Sequence, residues 1–176
     1  FRSSLDGSEP RRQGIALAAL GFSGRDDVLD NIVQGAMLED PYLVDRAVFG
    51  LAILRAPGTP PGVLARVIEN AEFPEDTRIQ AAWALYRIQD ISRRQRAIVE
   101  SWCRCLGPQR ATTPDGVLLQ AVRGLGLTRD VRHAELIAPY LGNQYALIRM
   151  AAANAMARLN AQAYAGDLIE MMHPGE

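Results

Sequence analysis

The sequence predicts an all-α chain built from repeated helix pairs. One apolar stripe at helical spacing recurs five times along the 176 residues. Its anchors, Gln13, Val44, Arg78, Leu118 and Arg149, lie 31, 34, 40 and 31 residues apart, which leaves room each time for two helices and their turns. No segment sustains the two-residue alternation of a strand.

The stripe is clearest where the anchor is Arg. With the anchor as position zero, small or apolar residues fall at +3, +4, +6, +7 and +10. From Arg78 these are Ala81, Ala82, Ala84, Leu85 and Ile88; from Arg149 they are Ala152, Ala153, Ala155, Met156 and Leu159. Spacings of three and four leave one polar face, as in an amphipathic helix. The small residues imply that another helix lies close against the stripe. From Val44 the positions hold Ala47, Val48, Gly50, Leu51 and Leu54. From Leu118 they hold Ala121, Val122, Gly124 and Leu125, ending weakly at Thr128, and from Gln13 they hold Ala16, Leu17, Ala19 and Leu20, ending weakly at Ser23.

The elements follow in order as one domain over 1–176. The first repeat, 8–39, has Ser8 and Pro10 as a loose helix start and a second periodic segment over 26–38. The second, 40–72, starts with Asp40 as N-cap before Pro41 and has its second segment over 61–71. The third, 73–107, starts at Pro74-Glu75-Asp76 and has its second segment over 92–106. The fourth, 113–142, starts with Thr113 as N-cap before Pro114 and has its second segment over 133–141; the fifth, 143–174, has its second over 162–172. Gly24, the run 56–62, Gly107-Pro108 and Gly142-Asn143 read as turns. The stretch 107–113 is the longest polar connection and the strongest candidate for a mobile loop. The chain begins at Phe1 without an initiator Met, as expected of a processed product or a piece of a longer chain.

The stretches Arg78-Ile-Gln-Ala-Ala-Trp-Ala-Leu-Tyr-Arg-Ile88 and Arg149-Met-Ala-Ala-Ala-Asn-Ala-Met-Ala-Arg-Leu159 resemble the HEAT-repeat family, in the short bacterial form related to the repeats of phycobilin lyases. The resemblance covers almost the whole chain and is strong in the third and fifth repeats; the other three lack the anchoring Arg. It implies a right-handed, armadillo-like solenoid of about five antiparallel helix pairs with one continuous core. A tetratricopeptide-type array and a non-repetitive helical bundle are the alternatives, and the tetratricopeptide aromatic spacing is missing. The motif specifies a fold and no reaction.

Composition narrows the chemistry. All 19 basic residues are Arg, so Schiff-base catalysis and a pyridoxal phosphate site on this chain are excluded, as are the P-loop and protein-kinase lysines. Arg is a permanently charged fork suited to docking carboxylates or phosphates and a poor proton shuttle. No apolar run approaches the length of a membrane span. Cys103 and Cys105, one residue apart, read as small, partly buried thiols and do not indicate a compartment. His133 and Glu135 are too close in sequence for a helical metal pair, and His173 near the C-terminus reads as a helix-end residue. Asp26-Asp27 and Glu75-Asp76 sit at helix starts and complement the helix dipole. Gly124-Leu-Gly126 lies inside a helical pattern and reads as close helix packing. No catalytic, cofactor or metal site is expected.

Charge is unevenly spread. Residues 1–45 hold four Arg against eight acids, net −4, whereas 87–110 hold six Arg (Arg87, Arg93, Arg94, Arg96, Arg104 and Arg110) against Asp90 and Glu100, net +4. The cluster reads as a solvated face or as a docking patch for an acidic segment. Position +5 of the stripe should face away from the core, and it holds Phe49 and Trp83 in adjacent repeats. Ile53, Ile79 and Tyr86 fall on the same side, so either a contiguous apolar patch lies here or a neighbouring helix covers this face. The function expected is a non-catalytic protein-interaction or scaffold module, with another protein as partner. The alternatives are a lyase-like HEAT-repeat enzyme subunit holding a chromophore or protein substrate, and a nucleic-acid-binding HEAT-like protein. The acidic start of the chain and the absence of Lys disfavour the last.

Overall fold

The computed structural model describes residues 10–172, with side chains to Ile169. Ser8 and His173 lie outside the described residues. Ten α-helices run in order among the described residues: α1 (Pro10–Gly21), α2 (Leu29–Ala36), α3 (Pro41–Leu54), α4 (Pro61–Glu69), α5 (Glu75–Ile88), α6 (Gln95–Leu106), α7 (Asp115–Leu127), α8 (Ala134–Ile137), α9 (Ala146–Leu159) and α10 (Ala165–Met172). There is no strand among the described residues. The chain is therefore all-α, as its periodicity predicts.

Local chemistry sets the helix ends. Asp40 caps α3, its Oδ1 accepting from the N–H groups of Tyr42 (2.9 Å) and Leu43 (3.1 Å), with Pro41 at the first helical position. Thr113 does not cap α7. Pro114 takes the N-cap position, and the Thr113 hydroxyl donates back to the Gln109 carbonyl at 2.7 Å. The first turn of α5 holds Glu75 and Asp76, carboxylates at the positive end of the helix dipole. Three of the second segments open with a 3-10 turn (Asp26–Val28, Val131–His133 and Gln162–Tyr164) and only then become α-helical. The segment over 133–141 is also interrupted: α8 gives way to a 3-10 turn at Ala138–Tyr140, because Pro139 has no N–H to continue the α-helical ladder. The connection after α6 holds another 3-10 turn, Arg110–Thr112, with the Gln109 N–H donating to the Arg104 carbonyl at 3.0 Å.

The stripe is the buried side of the first helices. Positions +3 and +7 are buried in all five: Ala16 and Leu20, Ala47 and Leu51, Ala81 and Leu85, Ala121 and Leu125, Ala152 and Met156. Elsewhere the stripe is less complete: Ala19, Leu54, Thr128 and Ala153 are half-buried, and Ser23 is exposed.

The chain divides between Ile98 and Val99, inside α6, into two compact units. In the first, α3 packs between α1 and α5, while α2 packs on α3 and α4 packs on α5. The α1–α3 crossing is close enough to need glycine on both sides: a Cβ on Gly21 would stand 2.7 Å from the Gly50 Cα, and one on Gly50 would stand 2.6 Å from the Leu17 carbonyl oxygen. In the second unit α7 packs on α9, and a Cβ on Gly126 would meet the Ala155 Cβ at 2.8 Å. That close approach is the packing expected of the glycine pair in this helix. Trp102, Ile137 and Tyr140 fill the core of this unit.

Arginine has a recurrent structural use. Buried Arg78 donates its Nε to the Ile68 carbonyl in the last turn of α4 at 2.8 Å. Arg149 donates to the Asn143 and Gln144 carbonyls at 2.8 and 3.0 Å, and Arg66 to the Ala36 carbonyl at the end of α2 at 2.6 Å. Helix C-termini leave carbonyls without intrahelical partners, and a guanidinium satisfies them with charge-assisted bonds. The anchoring Arg of the third and fifth repeats thus ties its own helix to the chain that precedes it.

Candidate functional site

In the first unit the side of α1, α3 and α5 that faces away from the stripe carries a row of apolar side chains. On α3 these are Tyr42, Phe49 and Ile53, and on α5 they are Ile79, Trp83 and Tyr86. All but exposed Tyr42 are half-buried. The five residues expected as a patch are therefore neither core nor free in solvent. The row extends to α1 through residues that sequence reasoning passed over. Ile15 is 62% exposed and Phe22, one residue past α1, is 67% exposed. The Phe22 and Phe49 rings lie 5.9 Å apart, tilted by 54°.

Polar ties close both ends of the row. At one end Asp45 pairs with Arg46 and accepts from the Thr77 hydroxyl at 3.1 Å, joining α3 to α5. At the other end Arg55 reaches from the end of α3 to the end of α5. Its Nε donates to the Arg87 carbonyl at 2.8 Å, and its Nη2 donates to both carboxylate oxygens of Asp90 at 3.0 and 2.9 Å. Arg55 adopts the left-handed backbone, φ 51° and ψ 42°, that ends α3. Arg55, Tyr86, Arg87 and Asp90 line an open pocket of about 310 Å³. The Arg87 guanidinium carbon sits 4.9 Å from the centroid of the Trp83 ring, a cation–π contact, and the buried Arg87 Nε has no hydrogen-bond partner among the described residues. Arg87, expected in the basic cluster, lies here against Trp83. Arg55 and Asp90 were not singled out; the signal for Arg55 was its place just before the turn Ala56-Pro57-Gly58. Arg93, Arg94 and Arg96 are exposed, beyond α5 and into the first turn of α6.

The second unit brings a thiol near an imidazole. Cys103 Sγ lies 3.9 Å from His133 Nδ1, joining residues 30 apart in sequence. Burial pushes the Cys103 thiol up from its ordinary pKa, the Glu100 carboxylate adds to the shift, and Arg104 opposes it. All told, this surrounding favours the protonated thiol over the thiolate. Among the described residues no three His, Cys, Asp or Glu side chains gather as a metal site would need. No helix there is long and apolar enough to cross a membrane.

The chain matches no protein-family model and no curated protein sequence.

Proposed function

We propose that the chain is a HEAT-like α-solenoid acting as a non-catalytic protein-interaction module, with its partner docked on the outward side of α1, α3 and α5. The observation that carries this reading is the row from Ile15 and Phe22 through Phe49 and Ile53 to Trp83 and Tyr86, apolar groups left in contact with water beside a closed core. Contiguous exposed apolar surface is a mark of binding sites, and Trp and Tyr are the side chains that most often anchor them. Repetition of one buried stripe in five helices, and the succession α1–α3–α5, support the solenoid. The pocket chemistry supports binding over catalysis. Its cations are guanidiniums, poor proton shuttles, and its carboxylate is held in an ion pair. Exposed Arg93, Arg94 and Arg96 add positive charge just beyond α5 and favour a partner with an acidic segment.

The test is position-specific photo-crosslinking in a lysate of the source organism. A photoreactive residue at Phe22 and one at Ile53 should capture the same polypeptide, and one at exposed Gln34 on α2 should not. Equal capture from all three positions, or from none, would count against this face. Capture of nucleic acid, lost steeply as salt rises, would replace the reading with a nucleic-acid one.

A further inference from the structure

We infer that the pocket lined by Arg55, Tyr86, Arg87 and Asp90 receives the carboxylate of an acidic side chain in a partner peptide, whose neighbouring apolar residue lies on Phe49, Ile53 and Trp83. The inference rests on the interaction face proposed above and names the chemistry of its occupant. Asp90 is already engaged through both oxygens by Arg55. Arg87 is held differently: its guanidinium stacks on Trp83, and its buried Nε finds no acceptor among the described residues. That Nε is shielded from water and from a ligand alike, so an incoming carboxylate would bond the other N–H groups of the guanidinium, with charge assistance.

Charge selects the anion. Two guanidiniums against one carboxylate leave a single positive charge in the pocket, which one carboxylate balances. A doubly charged phosphate would leave an excess negative charge beside Asp90. The volume of about 310 Å³ is at the lower end of small-ligand sites, suited to a side chain. The Trp83 ring joins the two parts of the site, since it carries the Arg87 guanidinium and belongs to the apolar row.

The experiment uses the full chain and two sets of dye-labelled heptapeptides, with Leu, Ile, Phe or Trp varied around a central Glu in one set and a central Gln in the other. Fluorescence anisotropy should show the Glu set binding about tenfold more tightly, with Arg87→Gln removing the difference and leaving the apolar contribution. If Arg87→Gln lowers the melting temperature, Arg87→Lys is scored in its place. It keeps the charge and loses the fork, so the Glu preference should shrink to about threefold or less. Equal binding of the Glu and Gln sets would overturn the carboxylate proposal and leave the apolar face standing. Binding of neither set would also overturn it, and the crosslinking experiment would then judge the face separately. A Glu preference unchanged in the Arg87 variants would place the carboxylate elsewhere. Displacement of the Glu peptides by inorganic phosphate but not by propionate would assign the pocket to phosphate and overturn the proposal.

Discussion

Arg55 closes the end of α3 onto Asp90, at 2.9 Å, from a backbone conformation that side chains other than glycine seldom adopt. The left-handed backbone favours Gly over any residue with a Cβ by about 1 kcal/mol. Against that stand one bond to the Arg87 carbonyl and an ion pair that is about half exposed on each side, together about 1 kcal/mol after solvent screening.

Those two quantities separate two variants. Arg55→Gly loses the side-chain bonds and gains the backbone freedom, so its urea midpoint should lie close to that of the parent chain. Arg55→Ala loses the bonds and keeps the strain, and should be about 1 kcal/mol less stable than Arg55→Gly. Equal midpoints for the Ala and Gly variants would contradict the left-handed conformation at this position.

The α1–α3 crossing gives a second comparison. Gly21→Ala would set a methyl group 2.7 Å from the Gly50 Cα and Gly50→Ala would set one 2.6 Å from the Leu17 carbonyl oxygen; backbone atoms do not step aside as a flexible side chain does. Each should cost about 2–3 kcal/mol through overpacking. Gly62 in α4 has open space where a Cβ would go, so Gly62→Ala should stabilise by about 0.5–1 kcal/mol through helix propensity alone. Thermal melts of the three variants decide this, and a Gly21→Ala chain that melts no lower than the Gly62→Ala chain would place the helices farther apart.

Asp130 provides a pH dependence. Its carboxylate accepts from the Arg132 side chain, Nη2 at 2.6 Å, and from the Arg132 N–H at 3.1 Å, and these bonds hold its pKa down at about 2. A folded-state pKa below the unfolded value of about 3.9 stabilises the folded chain above that value, and the contribution is lost as pH falls from about 4 to about 2. Carboxyl carbon chemical shifts should show Asp130 titrating near the bottom of this range, and Arg132→Gln should bring it back toward the ordinary value. An Asp130 midpoint near 4 in the parent chain would mean that the Arg132 bonds do not form in solution.

Period was the strongest signal in the sequence. Ala47, Leu51, Ala81 and Leu85 are core because they recur at helical spacing, and that spacing is a local property of the chain. Asp40-Pro41 is equally local, and it caps α3 as expected. The aromatic row was legible only in part. Phe49 and Trp83 were found at an outward position of the stripe, whereas Phe22 falls in a repeat whose stripe fades at Ser23 and was passed over. The pocket was harder still. Arg55 and Asp90 lie 35 residues apart and meet only because α3 packs on α5. In sequence Asp90 is therefore only one charge among many. Left-handed helix ends at Arg55, Arg129 and Asn160 carry no glycine to announce them.

Cys103 and His133 show the same limit, because neither residue suggests the other in sequence, and their contact carries the last prediction. A thiol 3.9 Å from an imidazole is the arrangement that activates a cysteine when the imidazole takes the proton. Here burial and the Glu100 carboxylate both act against the thiolate and raise the Cys103 pKa, outweighing the Arg104 charge. At pH 7 the thiolate fraction should therefore be smaller than that of free cysteine. Iodoacetamide should label Cys103 at about a tenth of the free-cysteine rate or less, with the rate climbing as pH is raised past 9. Cys105, fully buried, should react more slowly still. His133→Ala should leave the Cys103 profile nearly unchanged, since the thiol keeps its proton with or without the imidazole. Labelling faster than free cysteine at pH 7, abolished by His133→Ala, would instead establish a working thiolate–imidazolium pair and reverse the assignment.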